Sequence, residues 1–150
     1  MHIGDFFDLK MLDEIMRSWS KATGLATVAV DNEGKYISGE IGFTDFCIKY
    51  TRGSKEGCRR CVKCDNECSG TYYCHAGLMD FSHDIIVDGQ FMGKIIGGQV
   101  LPGAPDEDKF RSMAVKLGID PDKYIEALRK VPIRSEESIR AAWQSCQYAR

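Results

Sequence analysis

Between Cys58 and His75 the chain reads CRRCVKCDNECSGTYYCH, concentrating five of its seven cysteines and one of its three histidines. Cys47 lies just upstream and Cys146 is remote. Cysteine packs well as a small apolar residue, but this density among polar neighbours points to metal binding, redox chemistry or sensing. Cys58, Cys61, Cys64 and Cys68 form C-x2-C-x2-C-x3-C, the spacing with which bacterial ferredoxins hold iron–sulfur clusters. Ser69 stands where ferredoxins place a proline, and no second cysteine run follows. Zinc would take four thiolate or imidazole ligands in a tetrahedron, and Cys47, Cys74 and His75 could complete such a set. A regular helix would spread Cys58 and Cys64 by about 9 Å along its axis while keeping all four thiols within an arc of about 120°. The expected metal candidates are therefore Cys58, Cys61, Cys64, Cys68 and Cys74, with an iron–sulfur cluster favoured over zinc by the spacing. The alternative is that these thiols line a small ligand pocket. Lys55, Arg59, Arg60 and Lys63 would lower thiol pKa values if they lay close, but such a run reads more readily as a solvated face.

The elements that must position these residues are legible in outline. Leu9, Leu12, Ile15, Met16 and Trp19 recur at helical spacing, with Asp8 as cap and Thr23-Gly24 as stop. Leu25 to Val30 is β-prone, and Asp31 to Gly34 followed by Lys35 to Ser38 completes an expected hairpin. Phe43 to Tyr50 predicts a short helix capped by Thr44, and Lys55 to Cys68 a helix or helical loop that carries the cysteines. From Tyr72 three strands are expected, YYCHAGL, DFSHDIIVDG and QFMGKIIGGQVL, with Asp88-Gly89 turning between the last two. Gly93, Gly97 and Gly98 within the last of these point to a bulge or a close backbone approach. As adjacent strand residues, Cys74 and His75 would face opposite ways and could not act together as nucleophile and base. Helices follow with Phe110, Met113, Ala114 and Leu117, then Tyr124, Ile125 and Leu128 after Asp120-Pro121, and finally Ile139, Ala142, Trp143 and Cys146 after a Ser135 cap. Two early and three late strands with helices before, between and after them give an α+β domain with an antiparallel sheet of about five strands and flanking helices.

At 150 residues the chain has the size of a single domain, 1–150, able to bury a core without disulfides. A net charge of −2 gives no broad reason to bind nucleic acid or an anionic membrane. No run approaches a membrane span, and MHIGDFFDLK lacks the blocks of a signal peptide, so a cytoplasmic location with reduced thiols is expected. The G-x-x-x-x-G-K, H-E-x-x-H and G-x-S-x-G motifs are absent. The last helix reaches Arg150 without a stop signal, which suggests continuation into an effector domain; the alternative is that it simply ends there.

The run Tyr72-Tyr73-Cys74-His75-Ala76-Gly77-Leu78, together with Phe46-Cys47, Gly57, Cys61, Asp65, Asp88-Gly89 and Gly97-Gly98-Gln99, resembles the PocR sensory domain family. The resemblance implies a PAS-like fold and a sensor of small molecules, simple hydrocarbon derivatives such as short diols. It also implies an attached DNA-binding, kinase or cyclic-nucleotide-synthesis domain, no catalysis in the sensor itself, and a homodimer by analogy with PAS-like sensors. By position it puts Cys47, Cys61, Asp65, Cys74 and His75 at the ligand site. Gln99, which can both donate and accept, joins them as a candidate. This sequence departs from the family pattern in the short interval NECSGTYY after Asp65, in Asp84 where a proline is usual, and in the additional Cys58, Cys64 and Cys68. Those departures keep open a metal-loaded or redox-responsive sensor. The other readings are an iron–sulfur redox or electron-transfer protein and a small thiol-dependent enzyme.

Overall fold

The computed structural model describes residues 2–147, except for the side chains of residues 145–147, so the expected burial of Cys146 lies outside the described residues. Helix α1, Leu9–Thr23, starts where the Asp8 carboxylate accepts the N–H groups of Lys10 and Met11 and ends at Gly24. Met16 is buried and Trp19 half-buried, whereas Ile15 of the expected stripe is 59% exposed. It lies on the outward face with Met11.

Four antiparallel strands follow, β1 Ala26–Asp31, β2 Gly70–Tyr73, β3 Met79–Val87 and β4 Gln90–Val100, in the spatial order β1-β4-β3-β2. The β3–β4 turn is Asp88-Gly89, both with positive φ, as a two-residue hairpin requires. The expected second arm of the early hairpin is not a strand. Tyr36 and Ile41 make only isolated bridges to Val30 and Thr27, because the Ser38 hydroxyl accepts the Ala29 N–H that a ladder would have used. This accounts for four strands rather than five. Phe43 to Tyr50 also differs in detail: it holds a π-helical turn, Phe46–Thr51, closed by the Thr51 hydroxyl donating to the Phe46 carbonyl at 2.7 Å.

The cysteine-bearing segment is a helix, α2, Lys55–Glu67, whose Ser54 cap accepts from Gly57 N–H at 2.9 Å. Gly57 is needed there, since a Cβ would stand 2.0 Å from the Thr51 carbonyl oxygen. At its other end the Lys94 ammonium, from β4, donates to the carbonyls of Asn66 and Cys68, both at 3.1 Å, and pins the helix across the sheet. Helices α3 Glu107–Leu117, α4 Pro121–Leu128 and α5 Glu136–Gln147 complete the chain.

Alternation along the strands separates two layers. Met79 and Phe81 face a cluster with Trp19 of α1 and Ile139 and Trp143 of α5. Val28, Val30 and Ile96 face Tyr36 and Phe43 on the other side. There the π-helical turn joins α3 and α4 in the largest apolar cluster, with Phe46 stacked on Tyr124 at 4.4 Å between ring centroids. Since the Thr51 hydroxyl proton goes to Phe46, the Tyr124 hydroxyl is the donor in their 2.8 Å contact. Replacing Tyr124 with Phe should cost about 1 kcal/mol, a single hydrogen bond, and Tyr124→Ala about 3–5 kcal/mol. Urea denaturation of the variants measures both.

Candidate functional site

A cavity lies between the β1–β4–β3 face, the π-helical turn, α2 and the turn Cys74–Leu78, and Cys47, Cys61, Asp65, Cys74, His75 and Gln99 all line it. Every ligand-site candidate of the sequence is thus brought to one place. The space open to the centres of water-sized groups is about 40 Å³.

Cys74 and His75 are not strand residues. β2 ends at Tyr73, and Cys74 opens a tight turn in which its N–H donates to the Leu78 carbonyl at 2.8 Å and its own carbonyl accepts from Gly77. The turn removes the alternation that would have sent them to opposite faces, and both reach the cavity. The His75 Nε2 lies 3.1 Å from the Cys61 sulfur on α2. Burial, with Arg60 and Arg52 nearby, pushes the imidazole down to about 4, while burial pushes the Cys61 thiol up to about 12. Both partners are neutral at pH 7, the reverse of the thiolate–imidazolium pair of a cysteine nucleophile. Cys47 and Cys74 are also raised by burial. The basic residues of α2 do not offset this: Arg59 and Arg60 both pair with Glu56.

Of the metal candidates, Cys61, Cys64 and Cys74 line the cavity, whereas Cys58 and Cys68 do not. Cys68 ends α2 beside Cys64. Among the described residues no group of three or more His, Cys, Asp or Glu side chains is placed to hold a metal ion. The helix lays the C-x2-C-x2-C-x3-C run out as a stripe instead of folding it round one centre.

Sequence reasoning missed Arg52 and Asp80. Arg52 pairs with Asp65 at 2.7 Å, both largely buried, and lies against the rings of Tyr36 and Phe43. Asp80, on β3, is buried at the cavity wall and accepts the Gln99 N–H at 2.7 Å. It sits at a bulge: Met79 pairs with Val100 and Asp80 with Gly98, leaving Gln99 extra. Gly98 is required beside it, because at φ 117° a Cβ would meet the Met79 carbonyl oxygen at 2.7 Å. The glycines that signalled a bulge in the sequence do mark one here. The signal for Asp80 was a lone carboxylate inside the apolar run Leu78 to Phe81; Arg52 carried none.

The profile described as "Sensory domain found in PocR" matches residues 5–149. The chain belongs to the PocR sensory domain family. It is 35% identical over 101 residues to the regulatory protein PocR of Salmonella typhimurium strain LT2, an alignment that takes in 61% of this chain and 33% of that protein. The chain therefore spans about a third of that relative's length. Membership of a sensory family accords with a regulatory, ligand-binding role, and no described helix is long and apolar enough to cross a membrane.

Burial raises the Asp80 carboxyl to about 7, against about 3.9 for an unfolded chain. Its folded state therefore holds the proton more tightly, and the stability this provides is complete below the unfolded value and lost as pH rises through 7. The stability of Asp80→Asn relative to the unsubstituted protein should accordingly increase from pH 4 to pH 7.5, by at most about 1.4 kcal/mol per pH unit. Urea melts of both proteins across that range test the sign. Removing Arg52 as Ala should cost about 3–5 kcal/mol at neutral pH by leaving Asp65 buried without its partner, again measured by urea melts.

Proposed function

We propose that this domain senses a small, neutral, hydroxyl-bearing molecule of the size of a short diol and passes the signal to an attached effector of a regulatory protein. The observation that carries this reading is the pair of buried polar atoms left without partners at the cavity, Gln99 Oε1 and His75 Nδ1. A buried acceptor without a donor is costly, and a ligand hydroxyl can donate to Gln99 while its oxygen accepts from the imidazole N–H. Charge supports neutrality: Arg52 is already engaged by Asp65, and Asp80 adds a second carboxyl, so no free cation awaits an anionic ligand. The small volume supports a ligand of a few heavy atoms. The neutral Cys61–His75 pair supports a sensing role over thiol catalysis.

The output runs through β3. Asp80 faces the cavity, while on the opposite face His83 stacks on Trp143 of α5 at 5.2 Å and its Nε2–H donates to the Trp143 carbonyl at 2.6 Å. The Trp143 indole N–H in turn donates to the Ser82 carbonyl at 3.1 Å. A ligand that favours one arrangement of the bulge would shift α5, provided it binds the two states unequally.

Diols of two to four carbons should raise the melting temperature with increasing concentration, as ligands of the folded state must. Carboxylates of equal size, such as glycolate and lactate, should not. Stabilisation by the carboxylates alone overturns the reading. The Trp143 fluorescence change on diol addition should disappear in His83→Ala while calorimetric affinity is retained; a response that survives would remove β3 and α5 as the route.

A further inference from the structure

Among the described residues two non-glycine positions have positive φ, Asp88 at 49° and Gln99 at 58°. Asp88 occupies a hairpin turn, where that conformation is ordinary. Gln99 does not. It is the extra residue of a bulge, a place where the left-handed position is usually filled by glycine. The chain uses glycine at positions 97 and 98 immediately before it, yet keeps a long side chain at the strained position. Backbone strain of this kind persists where surrounding contacts impose it and clusters where it serves a function.

The contact that imposes it is Asp80. The Gln99 N–H has no ladder partner in β3 and donates instead to Asp80 Oδ1 at 2.7 Å. The result carries the Gln99 amide to the cavity wall, where its Oε1 is buried and unpartnered. We propose that Gln99 is the residue that recognises the ligand hydroxyl, and that Asp80 is a positioning residue whose carboxyl holds Gln99 in the left-handed conformation that aims its amide into the cavity. This deepens the functional reading above and rests on it. The requirement falls on the ligand as well: it must bring a hydrogen-bond donor to Gln99 Oε1, so an ether or ketone of the same size lacks what the site selects.

The test combines thermal melting with calorimetric titration of the two- to four-carbon diols and their monomethyl and dimethyl ethers. Gln99→Gly relieves the left-handed strain and should melt no lower than the unsubstituted protein while losing about fivefold in diol affinity, the loss expected when one hydrogen bond is removed. Asp80→Asn retains an oxygen that can accept the Gln99 N–H and should bind diols like the unsubstituted protein at pH 6. Asp80→Ala should lose affinity as Gln99→Gly does, and combining Asp80→Ala with Gln99→Gly should lose no more than Gln99→Gly alone, because Asp80 acts through Gln99. Dimethyl ethers should fail to bind. Should Gln99→Gly melt lower and bind diols normally, Gln99 is a structural residue and this inference falls while the functional reading stands. If the unsubstituted protein binds none of the diols, the functional reading is overturned and this one with it. Should Asp80→Ala fail to fold, Asp80→Val, which also lacks the acceptor oxygen, and Asp80→Asn serve in its place: loss of affinity in Asp80→Val alone would uphold the positioning role, and either retained affinity in Asp80→Val or lost affinity in Asp80→Asn would overturn it.

Discussion

The hydrogen bond from the Gln99 N–H to the buried Asp80 carboxyl is the interaction on which the cavity depends. It takes the place of a ladder bond between β3 and β4 and so permits the bulge between Met79 and Val100. Without the bulge the pleat of β4 would turn the side chain at position 99 to the other face of the sheet. The close passage of Gly98 over the Met79 carbonyl and the reach of Gln99 into the cavity are consequences of the same irregularity. A buried carboxyl is expensive unless its oxygens are satisfied. Here the backbone offsets part of that cost with a donor that the bulge has set free, so the strand irregularity and the buried acid each make the other tolerable.

Neutrality is the second organising constraint. Three cavity thiols, Cys47, Cys61 and Cys74, are raised by burial, and the imidazole beside Cys61 is lowered by it. Desolvation disfavours the charged form of each group irrespective of sign, so one physical cause produces shifts in opposite directions and leaves an uncharged wall. Arg52 and Asp65 are exceptions, held as an ion pair with the guanidinium against the faces of Tyr36 and Phe43, and Asp80, raised to about 7, is part-ionised at neutral pH. The site is therefore polar in hydrogen-bonding capacity and nearly neutral in charge, a combination suited to alcohols and unsuited to acids.

Much of this was legible in the sequence where one residue has one local job. Asp8 before an apolar stripe, Asp88-Gly89 between two β-prone runs and the glycines of β4 describe a cap, a turn and a bulge in that order, and each does so in the structure. The six candidate residues from Cys47 to Gln99, singled out by the family resemblance and by the hydrogen-bonding capacity of Gln99, line one cavity. What was not legible is competitive or non-local. The Ser38 hydroxyl outcompetes a ladder for Ala29, and no propensity scale records that. Cys74 and His75 look like a continuation of β2, but the hydrogen bonds from the Cys74 N–H to Leu78 and from the Gly77 N–H to Cys74 close the chain into a turn. The Arg52–Asp65 pair joins two elements with no shared spacing rule. The ferredoxin-like cysteine spacing illustrates the converse. The same C-x2-C-x2-C-x3-C run that wraps a cluster from a loop becomes, on α2, a stripe along one side of a helix, because backbone conformation and not spacing decides whether thiols converge.

On the proposed reading, the two faces of β3 are what would connect a cavity of this size to a helix that does not line it. Asp80 looks towards the cavity while Phe81 and His83 look towards α1 and α5, so a change in the pleat at Asp80 is also a change at Phe81 and His83. Phe81 is buried against Trp19 in an edge-to-face contact at 5.9 Å, and His83 is fixed to Trp143 by stacking and a hydrogen bond. Close-packed contacts of this kind do not deform gradually; they hold or they repack. On the proposed reading, a bulge already carrying strain at Gln99 is the part of the sheet where a small ligand would have the greatest leverage, since a modest gain in hydrogen bonding there competes with a conformation that is itself only modestly favoured.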